Sequence, residues 1–289
     1  ISLAEKQQIN KALLKSGAAI DEMNCVRKHL SSIKGGRLAK AAYPARVVSL
    51  AISDVPGDDI SVIASGPTVS DTTTRFDALA ILERYQIEIP GSAFEWLNNP
   101  ESETIKPDDI CWKNAEHHII ATPMSALESA AAEAEGLGIP AYVLSDCIEG
   151  EAREVAKVHA ALAKQVANNK HTLETPCVLL SGGETTVTVK GNGRGGRNCE
   201  FLLSLYNELK GQDNIFALAA DTDGIDGVED NAGAWITPET WQEGTRLSLK
   251  ADDYLEANNS YDFFKQTGVL LTTGPTLTNV NDFRAILIL

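Results

Sequence analysis

Val47-Val48-Ser49-Leu50-Ala51-Ile52 is a continuous apolar run, typical of a strand buried on both faces of a parallel sheet. The acidic turn Ser53-Asp54-Val55-Pro56-Gly57-Asp58-Asp59 ends it directly. In open α/β sheets, ligands bind beyond the carboxyl ends of the strands. This stretch therefore predicts both a fold class and a first location for chemistry.

Outward from this run, strand-like and helical patterns alternate along the chain. Helical patterns cover residues 3–16, 20–30, 75–84, 125–135, 151–167, 200–209, 238–247 and 252–265. Strand-like runs cover residues 61–64, 118–121, 141–144, 178–180, 185–189 and 215–220, with a final strand pair at 269–272 and 284–289. Such alternation predicts βαβ units, so we expect an α/β protein with mainly parallel sheets and helices on both faces.

A polar connector divides the chain into two predicted domains. The helix ending near residue 167 gives way to Asn168-Asn169-Lys170-His171, and the connector ends at Pro176. We therefore expect one domain over residues 1–170 and a second over residues 176–289.

The composition excludes several classes of protein. The 289 residues carry 40 Asp+Glu against 25 Lys+Arg, and the net charge of −15 disfavours a nucleic-acid binder. No apolar stretch approaches the roughly 20 residues of a membrane span, so we expect a cytoplasmic protein without a membrane partner. The five cysteines are scattered and odd in number, which predicts reduced thiols.

Basic residues are concentrated in one short stretch. Residues 24–53 contain no acidic residue, although six of the 25 basic residues lie there. We interpret this stretch as an anion pocket, in which Gly35 and Gly36 allow close backbone approach and Lys34 and Arg37 supply charge-assisted hydrogen bonds. The alternative is a solvated helix face.

Two loops in the second half also suit anions. Gly191-Asn192-Gly193-Arg194-Gly195-Gly196 fits the G-x-G-x-x-G pattern between a strand and a helix, and Asp221 follows at the position of a ribose-binding acid. Taken alone, this pattern would indicate a dinucleotide fold. Arg194 and Arg197 instead suit the neutralisation of a transferring phosphoryl group. The loop is predicted to bind an anion, whose identity stays open at this point.

Acidic residues follow each predicted site strand. Asp54 could hold Mg²⁺ or orient a hydroxyl nucleophile, although an Asp- and Gly-rich loop is also typical of an ordinary turn. Asp221, Asp223 and Asp226 alternate after another strand. A calcium loop is not completed there, because Thr222 is not a ligand-grade acid, and Mg²⁺ held partly by nucleotide phosphates fits better.

These motifs, in this order, resemble the class II glycerate kinases. The first half resembles their N-terminal domain at Lys34-Gly35-Gly36-Arg37, Ser53-Asp54-Val55-Pro56-Gly57-Asp58 and Ala64-Ser65-Gly66-Pro67-Thr68. The second half resembles their MOFRL domain at Ser181-Gly182-Gly183-Glu184, Gly195-Gly196-Arg197-Asn198 and Thr222-Asp223-Gly224-Ile225-Asp226-Gly227. The resemblance covers essentially the whole chain.

The resemblance implies phosphorylation of D-glycerate by ATP and Mg²⁺, usually at the 2-hydroxyl, in a cleft between two Rossmann-like domains. It implies that Arg197 stabilises the transferring phosphoryl group and that Asp54 orients or deprotonates the glycerate hydroxyl. Lys34 and Arg37 would hold the substrate carboxylate or a phosphate, and Asp223 would lie on the metal side.

Asp221 is a second metal-side candidate. Further substrate- or phosphate-binding candidates are Gly35, Gly36, Ser181, Gly182, Gly183, Glu184, Gly195, Gly196 and Asn198. Family members have also been named hydroxypyruvate reductases, so an NAD(P)H-dependent reductase is an alternative. Family members also carry a preceding segment with a glycine-lysine motif. A second alternative is therefore a truncated, non-catalytic remnant that binds glycerate or nucleotide. For the oligomeric state, we consider a homodimer.

Overall fold

The computed structural model describes residues 1–55, 57–168 and 172–289. These residues form two compact units, Ile1–Ile120 and Ala121–Leu289. Among the described residues, no helix is both long and apolar enough to cross a membrane.

The first unit is mainly helical. Its helices are α1 (Leu3–Ser16), α2 (Ile20–His29), α3 (Arg37–Ala42), α4 (Arg75–Arg84) and α5 (Gly91–Asn98), with short 3-10 helices at Ile63–Ser65, Pro100–Ser102 and Ile110–Asn114. Strands β1 (Val47–Ile52) and β2 (Ala115–Ala121) form a two-stranded sheet. The helices pack around a core that includes Ile9, Leu13, Val26, Leu82 and Leu97.

Local sequence fixes where α1 begins. The Ser2 side chain accepts a hydrogen bond from the Glu5 amide at 3.3 Å, and the Ser2 amide donates to the Glu5 carboxylate at 2.6 Å. This reciprocal pair satisfies two amides that would otherwise lack partners at a helix start. Helices α1 and α4 have the bounds that their periodicity predicts.

Two strand predictions in this unit differ from the structure. Strand β1 forms where expected, but residues Val48 and Leu50 are 49% and 66% exposed, so the strand is not buried on both faces. The predicted strand at residues 61–64 is replaced by a turn and a 3-10 helix. Ala64 has φ 52°, in the left-handed region, which is incompatible with an extended strand.

The second unit combines a six-stranded sheet with packed helices. The helices are α6 (Pro123–Gly136), α7 (Ala152–Ala167), α8 (Arg197–Leu209), α9 (Pro238–Arg246), α10 (Ala251–Glu256) and α11 (Ser260–Thr267). The strands are β3 (Ala141–Ser145), β4 (Gly150–Glu151), β5 (Cys177–Gly183), β6 (Thr185–Thr186), β7 (Ile215–Asp221), β8 (Gly233–Ile236), β9 (Leu270–Leu271) and β10 (Asp282–Ile288).

The α/β class is confirmed, whereas the strand directions are mixed. The sheet order is β3-β5-β10-β7-β8-β9, and β4 pairs separately with β6. Within the six-stranded sheet, β3 and β5 are parallel and the other adjacent pairs are antiparallel. The sheet is not mainly parallel, because the last strand, β10, enters between β5 and β7 and runs antiparallel to both.

The compact units also divide at a different place from the predicted boundary. Strand β3 pairs with β5, and α6 and α7 pack in the same unit, so residues 121–168 belong with the second half. The predicted final strand pair does not form either, since β9 pairs with β8. Pro56 of the predicted acidic turn and residues 169–171 of the predicted connector lie outside the described residues.

The core of the second unit centres on α8. Ala156, Ala160 and Ala163 of α7 are buried in the same cluster as Phe201 and Leu205 of α8. Small side chains on α7 allow the two helices to approach closely, and α8 is buried along most of its length. The first residue of this well-anchored helix is Arg197.

Candidate active site

A cavity of about 570 Å³ lies in the second unit, beside the start of α8. Its lining includes Glu184, Gly195, Gly196, Arg197, Asp221 and Asp223, all of which are candidates from the sequence. These residues come from the ends of β5 and β7 and from the glycine loop. The fold therefore brings together candidates that are widely separated in the chain.

Arg197 is held by three carboxylates. Its Nε donates to Asp282 Oδ1 at 2.7 Å, its Nη1 to Glu184 Oε1 at 2.8 Å, and its Nη2 to Asp221 Oδ2 at 2.6 Å. Burial alone would lower the pKa of Arg197, but Asp282, Asp221 and Glu184 raise it well above its usual value. The guanidinium is thus a fixed, permanent positive charge at the cavity wall.

Asp282 holds this arginine in place, although it is not among the site residues predicted from the sequence. Its carboxylate is buried and accepts hydrogen bonds from Arg197, from Asn198 Nδ2 at 2.8 Å and from the Thr185 amide at 3.2 Å. A buried carboxylate needs such partners, because desolvation strongly penalises its charge.

Arg284 supplies the compensating charge on the other side of Asp282. Its Nη2 donates to Asp282 Oδ2 at 2.5 Å, and its guanidinium lies 5.0 Å from the centre of the Phe201 ring. Both residues lie on β10, where they alternate with apolar residues. The sequence does contain a signal for this pair, because two charged residues on the same face of an otherwise apolar strand require partners if that face is buried.

Asp226 fixes the start of α8. Its Oδ1 accepts from the Asn198 amide and its Oδ2 from the Cys199 amide, both at 2.9 Å, so it caps the helix from outside. Gly196 is required beside it, since a Cβ at that position would overlap the Asp226 carboxylate. This cap sets the position from which Arg197 projects.

Asp221 and Asp223, the two metal-side candidates from the sequence, both line the cavity. Burial raises the pKa of Asp221 to about 7, against the opposing effects of the Asp223 amide and Arg197. Asp223 Oδ1 accepts from the Ile225 amide at 2.7 Å. Among the described residues there is no group of three or more His, Cys, Asp or Glu side chains that could hold a metal ion. The carboxylates of Asp221 and Asp223, which both line the cavity, are oxygen donors of the kind that Mg²⁺ takes together with phosphates and water.

Residues 181–183, directly before Glu184, make contacts inside the protein. The Ser181 hydroxyl lies 3.0 Å from His159 Nε2, and both side chains are buried. The Gly182 carbonyl accepts from the Ile148 amide at 3.1 Å. Gly183 has φ 116°, and a Cβ there would overlap the Ile148 backbone. The small residues at 181–183 thus permit a close approach of the chain to itself.

The first glycines of the glycine loop, Gly191 and Gly193, also allow a close approach between two segments of the chain. A Cβ at Gly191 would overlap the Ala257 carbonyl, and one at Gly193 would overlap both Ala257 and Asn259. The Gly193 amide donates to the Ala257 carbonyl at 2.9 Å. These glycines therefore seat the loop against the segment after α10, which gives the G-x-G-x-x-G pattern a packing role here.

Of the candidate site residues in the first unit, Lys34 lines one cavity and the others do not line it. Lys34 lines a separate cavity, whereas the Gly35 and Gly36 amides donate to the carbonyls of Ser65 and Gly66 at 3.2 and 2.8 Å. Their amides are therefore engaged within the protein. Gly35 and Gly36 therefore allow their own segment to lie close to the segment at residues 65–66, and not to a ligand.

Arg37 and Asp54 do not line that cavity. Arg37 Nη2 donates to the carbonyls of Glu101 and Glu103, both at 3.1 Å, and the guanidinium lies over the Trp96 ring. Asp54 is exposed and follows β1, as the sequence predicts.

The chain is similar to known kinases over nearly its whole length. It is 42% identical to the D-glycerate 2-kinase of Thermotoga maritima, over 98% of this chain and 66% of that protein. It is 38% identical to the glycerate kinase of Macaca fascicularis, over 98% of this chain and 82% of that protein. The crystal structure of a Thermotoga maritima glycerate kinase matches with a TM-score of 0.92 at 42% identity, covering 100% of this chain and 68% of that one. The chain belongs to the glycerate kinase family.

The two halves of this glycerate kinase family member match different domain families. The MOFRL family matches residues 177–282, which include Arg197 and Asp282, and a domain of unknown function, DUF4147, matches residues 1–98. A relative from Agrobacterium vitis, 49% identical over 100% of this chain and 74% of that protein, bears the provisional name hydroxypyruvate reductase. The chain spans about two thirds of the length of several relatives, including 66% of the Thermotoga kinase.

Proposed function

We propose that the protein transfers a phosphoryl group from ATP to D-glycerate, giving 2-phosphoglycerate. The observation that carries the proposal is Arg197, a charged guanidinium fixed at the wall of a cavity in the MOFRL half. Phosphoryl transfer depends mainly on positioning and on electrostatic stabilisation of the equatorial oxygens, which such an arginine can supply. The names of the glycerate kinase relatives support the same substrate.

The three carboxylates around Arg197 differ in how easily a phosphate could replace them. The side chains of Asp282 and Asp221 are 0% and 6% exposed, whereas that of Glu184 is 58% exposed. An incoming phosphate oxygen would therefore displace Glu184 from Nη1, while Asp282 and Asp221 keep the guanidinium oriented. Exchange of one anion for another avoids leaving the buried charge unpaired.

Mg²⁺ would be held beside this arginine by Asp221 and Asp223 together with the nucleotide phosphates, and it would neutralise phosphate charge. On the acceptor side, we propose that Asp54 orients or deprotonates the 2-hydroxyl of glycerate. Lys34 is favoured over Arg37 for the substrate carboxylate, because Arg37 already donates to two backbone carbonyls.

The test is release of ADP by the full-length natural protein in the presence of D-glycerate, ATP and Mg²⁺. Arg197→Ala should reduce kcat by about 10² or more, the scale of losing a key electrostatic group. Arg194→Ala is the matched control: Arg194 lies in the same loop but pairs with Glu229 and Asp262 and does not line the cavity. Full activity in Arg197→Ala would refute the proposed role of this arginine.

The reductase alternative is favoured by the provisional name of the Agrobacterium relative. It predicts oxidation of NADH or NADPH by hydroxypyruvate. The packing role of Gly191 and Gly193 weighs against it, since these glycines lie against the protein's own backbone. A spectrophotometric assay that shows no hydroxypyruvate-dependent loss of NADH or NADPH would exclude it. Calorimetry that shows binding of glycerate or nucleotide without turnover would instead support a non-catalytic binding protein.

A further inference from the structure

A second cavity, of about 330 Å³, lies in the first unit, and all the charged side chains in its lining are positive. It is lined by Lys6, Asn10, Arg27, Leu30, Ser31, Lys34 and Ser65. Its three charged side chains are all cationic, although the chain as a whole carries a net charge of −15. A purely cationic lining in a strongly acidic protein is typical of a site for an anion.

The cations in this cavity have neutral hydrogen-bond partners. Arg27 Nε donates to Asn10 Oδ1 at 3.1 Å, and Lys34 Nζ donates to the Ala64 carbonyl at 2.6 Å. Among the residues that the structure describes, neither cation has a carboxylate within ion-pair distance, and the same is true of Lys6. Burial, and to a smaller degree the charge of Arg27, lower the pKa of Lys34. A bound anion would relieve this uncompensated positive charge.

The wall beside Lys34 is a strained turn. Ala64 and Ser65 have φ angles of 52° and 61°, in the left-handed region that non-glycine residues rarely adopt. The turn is held in place by the Lys34 ammonium and by the Ser65 hydroxyl, which donates to Asn24 Oδ1 at 3.2 Å. Strain of this kind concentrates at ligand sites. Here it places a hydroxyl group in the lining of a cationic cavity.

From these observations we infer that the cavity between α1, α2 and this turn is an oxyanion site, which binds the carboxylate or phosphate group of a small ligand through Arg27 and Lys34. Asn10 orients Arg27, and Ser31 and Ser65 supply hydroxyl groups. The inference deepens the proposed function, which assigns the substrate carboxylate to Lys34 and gives Arg27 and Asn10 no role. Only the identification of the anion as the carboxylate of glycerate rests on the proposed function.

The test is binding in the absence of ATP, measured by calorimetry on the full-length protein with inorganic phosphate and, separately, with D-glycerate. Arg27→Gln and Lys34→Gln should each raise the Kd of at least one of these anions about tenfold or more. Arg27→Lys should retain more affinity than Arg27→Gln, because it keeps the charge. Lys15→Gln is the matched control, since Lys15 also lies in the first unit but is exposed and outside the cavity.

Near-UV circular dichroism shows whether each variant keeps its fold, and Lys34→Gln tests the inference if Arg27→Gln does not fold. Loss of phosphate binding alone assigns the site to a phosphate, and loss of D-glycerate binding assigns it to a carboxylate. Equal binding in all variants, or no saturable binding of either anion to the natural protein, would overturn the inference. Absence of kinase turnover with intact, Arg27-dependent anion binding would overturn the proposed function and leave this site standing.

Discussion

At the scale of single residues, the candidate active site depends on a charge that does not line the cavity. Arg284 is fully buried and pairs with Asp282, which in turn holds Arg197. Burial lowers the pKa of Arg284, and the Asp282 carboxylate opposes this effect. The arrangement is an alternating row of charges, in which the buried Asp282 carboxylate lies between two arginines.

Arg284→Met should therefore destabilise the protein strongly, because it leaves Asp282 with one compensating cation where it had two. Removal of one partner from a buried ion pair typically costs about 3–5 kcal/mol of unfolding free energy. Arg246→Met is the matched control, since Arg246 is 67% exposed and pairs with Glu243 on the surface, where such pairs contribute about 0–1 kcal/mol. Urea unfolding compares the two variants, and equal stabilities would contradict the structural importance assigned to Arg284.

At the scale of elements, α8 carries the site because its start is fixed from outside the helix. The periodicity predicts a helix at residues 200–209, whereas the structure begins it at Arg197. The additional residues are held by Asp226, which is distant in sequence and accepts two of the first amides of the helix. Gly196 itself provides no side chain that could cap the helix.

Asp226→Ala should lower the free energy of unfolding by about 2 kcal/mol, the upper range for loss of a helix cap. Asp226→Asn should cost less, because it keeps one acceptor oxygen. Glu256→Ala removes an exposed carboxylate at the end of α10 and should stay within about 0.5 kcal/mol of the natural protein. Chemical unfolding measures all three, and an Asp226→Ala variant as stable as Glu256→Ala would exclude the capping role.

At the scale of the whole molecule, the net negative charge includes carboxylates that the fold buries. Burial raises the pKa values of Asp221, Asp226 and Glu200. A carboxyl group with a raised pKa binds its proton more tightly in the folded state than in the unfolded state. Such groups make stability fall as the pH rises.

The pH dependence of unfolding should report on Asp221. Its pKa rises from 3.8 to about 7, so its contribution lowers the free energy of unfolding between about pH 4 and pH 7 and levels off above. Asp221→Asn should flatten this part of the profile, whereas Asp253→Asn, at an exposed position on α10, should not. Unfolding curves from pH 4 to pH 8 test this, and an unchanged profile in Asp221→Asn would contradict the raised pKa.

Much of the fold followed from local patterns. The alternation of strand-like and helical patterns predicted the α/β class, and the capping pair of Ser2 and Glu5 predicted the start of α1. Strand directions did not follow, because β10 inserts between β5 and β7 and pairs with residues that lie 61 to 111 positions earlier in the chain. The burial of β1 was also missed, since apolar composition alone does not show which face of a strand is covered.

For the candidate site, the sequence by itself determined the residue types. Arg197, Glu184, Asp221 and Asp223 were all found from motifs, because loops at strand ends have a recognisable composition. Only the tertiary structure decided which charges meet. Asp282 stabilises Arg197 from the last strand, and Arg27 joins Lys34 where Arg37 was expected. The physical reason is that a charge is stabilised by whatever the fold brings within a few ångströms, and separation along the chain does not predict that distance.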